Sequence, residues 1–228
     1  MKLAILIPVK DLSRAKTRLS TLLSEAERRE LAHAMLRGVL AQIDRLPANI
    51  DRVMITNYAP AIVLAQTHGF ALIEEGEQSS ESASVDAASA ALEAQGYDGV
   101  LRVPLDLPVL DVADLETILA RAQAGVQAVL VPSFQGTGTN GLYRAPPTLF
   151  ASRFGPGSLA LHEAGARART SAYEVLPLTS MALDIDDPED IRLLLDRRVA
   201  CPAVDYLHSI GISGRLAAWE AARQAGGK

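Results

Sequence analysis

One cysteine, Cys201, stands among 228 residues, so no internal disulfide can form, and no amino-terminal segment combines a charged start, an apolar stretch and a cleavage site. The cytoplasm is the expected compartment. No apolar run reaches the roughly 18 residues needed to cross a bilayer, and membrane partners are not expected. Positive charge is short as well: the formal net charge is -5 and the pI about 5.4. The chain as a whole repels polyanions, so nucleic acid is not an expected partner and any phosphate must be held locally. The loop after the first apolar run, residues 8–19, carries neither a GxxxxGKS phosphate loop nor a GxGxxG dinucleotide fingerprint. Internal repeats, low-complexity tracts and long linkers are missing too. What remains is a chain 49% hydrophobic, able to bury a substantial core and read as a single domain over 1–228.

Short apolar runs alternate with helical patterns. LAILIPV (3–9) is a continuous apolar strand of the kind buried on both faces of a parallel sheet. A helix is expected from Ser24, which has capping-box spacing to Glu27, with Leu31, Met35, Val39, Leu40 and Ile43 recurring on one face. Strands follow at 51–57, 70–74, 99–106 and 126–132, and helices at 60–67, 83–95 and 111–124. This order predicts an α/β three-layer sandwich. Beyond it the pattern loosens: an edge or antiparallel strand at 139–146, a helix at 158–168, a strand at 171–178, and a helix at 188–198 with Pro188 in its first turn. The sheet is therefore mixed but mostly parallel. Residues 203–228 read as a carboxy-terminal helical arm, broken at GISG (211–214), that covers its own domain or a second subunit, which leaves a homodimer open.

Three clusters carry chemistry. The first is PVKDLSRAKTRL (8–19), in the loop after the first strand, where a ligand is expected in an open α/β sheet. Only four of the 22 basic residues are lysines, and Lys10 and Lys16 both fall here with Arg14 and Arg18. A compact ammonium approaches a phosphate oxygen as a point charge. The second is acidic: Asp106 sits between Pro104 and Pro108, and LDIDDPEDI puts Asp184 and Asp186 on one side of an extended segment, with Asp187 as a helix cap. Three converging carboxylates need a cation, and magnesium, which takes oxygen ligands and shares them with phosphates, fits. The third is GTGTNGLY (136–143) with RFGPGSLALH (153–162). Ser158 opens a helix after Gly155, Pro156 and Gly157, an arrangement that receives anions, while Thr139 and Asn140 lie where glycines let backbone approach a small ligand. His162 reads as a buried or orienting histidine.

Together these stretches resemble the guanylyltransferases that activate 2-phospho-L-lactate, phosphoenolpyruvate or 3-phospho-D-glycerate in coenzyme F-420 biosynthesis. The resemblance runs over most of 1–197 through PVKDLSRAKTRL, PLDLP, GTGTNGL, FGPGSLALH and DIDDPEDI. It implies a nucleotide-diphospho-sugar transferase (Rossmann-like) fold, with GTP and a small phosphorylated acid as substrates. Pro8, Val9, Lys10, Lys16 and Arg18 would bind the nucleotide, and Asp106, Asp184 and Asp186 the magnesium. Thr139, Asn140, Gly155 and Ser158 would hold the acceptor, and Lys10, Lys16, Arg18 and Asp106 would be catalytic. One departure stands out: where the family commonly reads GLN, this chain has Ser84, Val85 and Asp86. Asp86 is expected to accept hydrogen bonds from the guanine edge, a ribose or an acceptor hydroxyl. Of the three acids only 3-phospho-D-glycerate offers a free hydroxyl, so it is the favoured acceptor.

The chemistry follows without the family. A phosphomonoester has a second pKa near 6 and is largely deprotonated at neutral pH. No general base is needed. Two anions must be brought in line while charge is neutralised at the α-phosphate and the departing pyrophosphate. Cys201 and His162 are expected to be dispensable for chemistry. Two other readings stay open: a nucleotidyltransferase of the same fold acting on molybdopterin or a sugar phosphate, and a non-enzymatic GTP-binding module.

Overall fold

The computed structural model describes residues 1–76 and 80–226, the side chain of Arg14 excepted. Its first half runs β1 (Leu3–Pro8), α1 (Glu25–Ile43), β2 (Ile50–Thr56), α2 (Ala59–Thr67), β3 (Ala71–Glu74), α3 (Glu81–Ala94) and β4 (Gly99–Arg102). The second runs α4 (Val112–Gln123), β5 (Ala128–Pro132), β6 (Thr139–Arg144), α5 (Ser158–Arg167), β7 (Tyr173–Val175), α6 (Thr179–Ala182), α7 (Pro188–Asp196), α8 (Pro202–Ser209) and α9 (Ile212–Gly226). Two 3-10 turns, Leu12–Arg14 and Thr17–Thr21, shape the loop between β1 and α1.

The strands form one sheet in the order β3-β2-β1-β4-β6-β5-β7. β6 runs antiparallel to both neighbours, and the other pairings are parallel. Side chains alternate across it as the pleat requires. Leu3, Ile5, Ile7, Leu101, Val129 and Tyr143 join one core with the apolar residues of α1, α4, α7 and α8. Ala4, Leu6, Val53 and Val100 meet Val85, Ala88 and Leu92 of α3 on the other face, while Ala128, Leu130 and Leu142 meet Ala166 of α5. Helices thus cover both faces, which is why the apolar run of β1 is buried throughout.

Several boundaries follow from local chemistry. The expected capping box starts α1, with the Ser24 hydroxyl receiving the Glu27 N–H and the Glu27 carboxylate the Ser24 N–H. β6 is antiparallel but not an edge: it lies inside the sheet with all six residues buried. Packing is tight at Gly141, where a Cβ would come within 2.8 Å of the Met181 methyl and 2.9 Å of Val131. β4 stops at Arg102 instead of 106; after Val103, whose N–H reaches Leu6 O at 3.0 Å, the chain leaves the ladder to form the turn that carries Asp106. The strand expected at 171–178 shrinks to Tyr173–Val175. The carboxy-terminal arm is two helices, and Val204, Leu207, Ile212 and Leu216 bury themselves in the same core as α1; residues 227–228 of that arm lie outside the described residues. Among the described residues no helix is long and apolar enough to cross a membrane.

Candidate active site

Beyond the carboxyl ends of the parallel strands, where α/β sheets bind ligands, lies a cleft of about 690 Å³. It joins a smaller arm of about 270 Å³ that Pro8, Lys10 and Lys16 line. Glu81, Arg102, Asp106 and Asp186 face both.

The loop after β1 sends its cations here. Lys16 Nζ donates to Asp106 Oδ2 at 2.6 Å and to Asp186 Oδ1 at 3.0 Å, so residues 90 and 170 positions away in sequence meet at one ammonium. Burial works against that charge, but the two carboxylates outweigh it and hold the lysine above its ordinary pKa. The backbone at Lys16 is left-handed, φ 55°, a conformation that costs a side-chain-bearing residue about 1 kcal/mol. Strain of this kind persists where surrounding contacts over-determine it. Arg18 is exposed on the wall of the larger arm. Val9 does not reach the cleft: its side chain is in the core and its N–H is bonded to Ile55 O at 3.0 Å.

Asp106 and the DIDDPEDI segment are tied together by backbone, Ile185 N–H donating to Asp106 O at 3.3 Å while the Ile185 side chain is fully buried. Burial would raise the pKa of Asp106, but Lys16 holds it below the usual carboxylate range. Asp184 is raised instead, by burial and then by the charges of Asp106 and Asp186, with the Asn140 amide opposing. Asp187 caps α7, accepting from Glu189 N and Asp190 N, and Asp190 returns the favour by accepting the N–H of Asp186 at 2.8 Å and of Asp187 at 2.9 Å. The convergence of three carboxylates on a metal is met only in part. Among the described residues no group of three or more His, Cys, Asp or Glu is arranged to hold a metal ion, and Lys16 pairs with two of the three carboxylates. In kind the donors, carboxylate oxygens, suit magnesium.

The α5 end is built differently. Gly157, φ 71°, is the N-cap that turns the chain into α5. The N–H groups of Ser158 and Leu159 are already bonded, to Gly155 O at 3.1 Å and Thr137 O at 3.0 Å, so the helix start offers less free amide than its position suggests. Thr139, Gly155 and Ser158 line the cleft. Fully buried His162 accepts the Arg153 N–H on Nε2 at 2.7 Å, which leaves Nδ1 as the protonated nitrogen, donating to Thr139 Oγ1 at 2.9 Å. Burial, with Arg144 and Arg102 adding to it, pushes the His162 pKa down to about 4, so the ring is neutral. The Thr139 hydroxyl proton is thereby free to point elsewhere. Asn140 also lines the cleft, and its amide nitrogen donates to Met181 O, Ala182 O and Asp184 Oδ1 at 2.9–3.0 Å, which ties it to Asp184.

Asp86 stands elsewhere than expected. It does not line the cleft. Its carboxylate pairs with buried Arg144 Nη1 at 3.0 Å and accepts the Ser152 N–H at 3.0 Å, while Arg144 also donates to Ser89 Oγ and Phe150 O. Having its cation beneath α3, Asp86 needs neither guanine nor an acceptor hydroxyl, and the preference for 3-phospho-D-glycerate loses its basis. Cys201 stands at the start of α8, away from both arms.

The family described as guanylyl transferase CofC-like matches residues 3–224. The chain belongs to that family. Among relatives of this guanylyl transferase, the phosphoenolpyruvate guanylyltransferase of Conexibacter woesei is 34% identical over 191 residues, covering 83% of this chain and 85% of its own. The 3-phospho-D-glycerate guanylyltransferase of Colwellia psychrerythraea is 30% identical over 85% of this chain and 91% of its own. The 2-phospho-L-lactate guanylyltransferase of Methanothermobacter thermautotrophicus is 31% identical over 92% of both chains. A crystal structure of a nucleotide-diphospho-sugar transferase from Desulfovibrio desulfuricans superposes with a TM-score of 0.79 at 16% identity, over 96% of this chain and 98% of that one. A cytidylyltransferase from Leptospira borgpetersenii does so at 0.59 and 16%, over 95% and 96%. The fold of this guanylyl transferase is that of the nucleotide-diphospho-sugar transferases. Sequence reasoning missed three of its charged cleft residues, Glu81, Arg102 and Asp190. For Arg102 the signal was present: a charge inside the apolar run GVLRVP.

Proposed function

We propose that this chain transfers GMP from GTP to the phosphate of a three-carbon phospho-acid, 2-phospho-L-lactate, phosphoenolpyruvate or 3-phospho-D-glycerate, in coenzyme F-420 biosynthesis in the cytoplasm. The observation that carries the reading is the Lys16 ammonium held between Asp106 and Asp186 where the two arms of the cleft meet. A phosphate arriving there competes for the lysine and frees the carboxylates. Asp106, Asp184 and Asp186 would then hold magnesium, which supplies charge neutralisation at the phosphates.

Lys10, Lys16 and Arg18 bind the triphosphate in this reading, and Thr139 and Ser158 hold the acceptor's carboxylate. An oxygen of the acceptor's phosphate attacks the α-phosphorus of GTP; the new P–O bond forms as the bond to the β-phosphate breaks, and pyrophosphate leaves. The attacking oxygen is already largely unprotonated at neutral pH. His162 cannot act as its base, since both ring nitrogens are engaged. Pyrophosphate release, measured with GTP, magnesium and each acid in turn, tests the proposal. Release with at least one acid is expected. Release only with a sugar phosphate or molybdopterin, or GTP binding with no release at all, would overturn it.

A further inference from the structure

Between the carboxylates and α5 lies a cation that the reaction above leaves unused. Arg102 ends β4 with a side chain only 7% exposed, yet it faces both arms of the cleft. Its guanidinium carbon lies 4.2 Å from the centroid of the Phe154 ring. Nη2 donates to Glu81 Oε1, and Nη1 approaches the Thr139 carbonyl at a long 3.5 Å. Nε is buried and has no hydrogen-bond partner among the described residues. An unpaired buried donor on an otherwise anchored side chain points to an acceptor that arrives from outside. On a guanidinium, the Nε–H and one Nη2–H lie side by side and take two oxygens of a phosphate together. Glu81 engages Nη2, one of the two nitrogens of that edge.

The location selects the anion. Arg102 touches Thr139 on one side, and its charge reaches Asp106 on the other. In the proposed reaction the acceptor's carboxylate rests at Thr139 and Ser158, and its phosphate must extend from there towards the α-phosphorus beside Asp106. We propose that Arg102 receives the acceptor's phosphate on its Nε–Nη2 edge, with Glu81 holding the guanidinium in place until that phosphate displaces it. Resting on the guanylyl-transfer reading, this adds the group that offsets repulsion between acceptor and GTP while one phosphate oxygen stays free to attack.

Steady-state pyrophosphate release by the full chain, with GTP, magnesium and whichever of the three acids the unaltered protein uses, reads the outcome. Arg102→Met should raise the acceptor KM by about 30-fold or more with the GTP KM within about twofold, the loss expected of a charge-assisted bidentate contact. Arg102→Lys should recover part of that. Glu81→Gln should lower the acceptor KM, because the competing anion is gone. An unchanged acceptor KM in Arg102→Met, or a rise confined to GTP, overturns the proposal. Should thermal melting show Arg102→Met to be misfolded, Glu81→Gln decides, and an unchanged or raised acceptor KM there overturns it. Turnover by the unaltered protein with a silent Arg102→Met sinks this inference alone; no turnover with any of the acids sinks the guanylyl-transfer reading and this inference with it.

Discussion

At the basic-loop end of the cleft Lys16, Asp106 and Asp186 carry charge and spend it on one another, whereas at the α5 end Thr139, Ser158 and His162 are neutral and fixed by hydrogen bonds. The first arrangement suits a heavily charged ligand, since phosphates and a divalent cation can replace each partner in the existing pairs. The second suits orientation: a hydroxyl whose direction is set by a neutral ring loses little freedom on meeting a carboxylate. One end is therefore expected to govern turnover and nucleotide use, the other acceptor affinity.

Asp106→Asn should be the most damaging change, cutting turnover by at least about 100-fold, the scale of losing a group that stabilises developing charge, while thermal melting shows a folded protein. Near-normal turnover would remove Asp106 from the site. Lys16→Met comes next, with kcat/KM for GTP falling by about 100-fold and the acceptor KM moving little. A larger effect on the acceptor would mean the two ends are misassigned. Ser158→Ala should raise the acceptor KM by about tenfold, the value of one hydrogen bond to an ionised group, and leave the GTP KM alone. A shift in GTP KM instead would erase the contrast.

His162 gives the mildest and most discriminating effects. Asparagine can still donate to Thr139 from the place of Nδ1, so His162→Asn should keep the acceptor KM within about threefold, and His162→Leu should raise it by about tenfold. Equal KM values in the two variants would limit the ring to packing. The folded-state pKa near 4 lies below the ordinary 6.5, so between those values the unfolded chain binds a proton that the folded protein refuses. Stability should fall as pH drops from 6.5 to 4, by at most about 3 kcal/mol from this group. Denaturant titrations across that range should show the loss in the parent and a smaller one in His162→Asn.

Periodicity made most of the scaffold legible: the apolar run of β1, the Ser24–Glu27 cap of α1 and the Asp187 cap of α7 are local signals, complete within a few residues. Placing β6 inside the sheet was not local, because its position depends on pairing with β4 on one side and β5 on the other. The charged cluster was readable residue by residue, but the Lys16 bridge was not, since its partners come from the turn after β4 and the segment before α7. Asp86 shows the cost of reading a charge without its neighbours. Its neutralising Arg144 lies 58 positions away, on a strand that sequence alone read as edge or antiparallel.

Residue order by itself determined where strands and helices begin, which loops collect lysines, aspartates and glycines, and that a chain of net negative charge must concentrate its cations to hold phosphate. Only the tertiary structure decided which charges face one another, because Coulomb and hydrogen-bond energies depend on separations of a few ångströms that chain distance does not specify. That is why Lys16 became a bridge, Asp86 the counter-ion of a buried arginine and Arg102 a cation with a donor to spare.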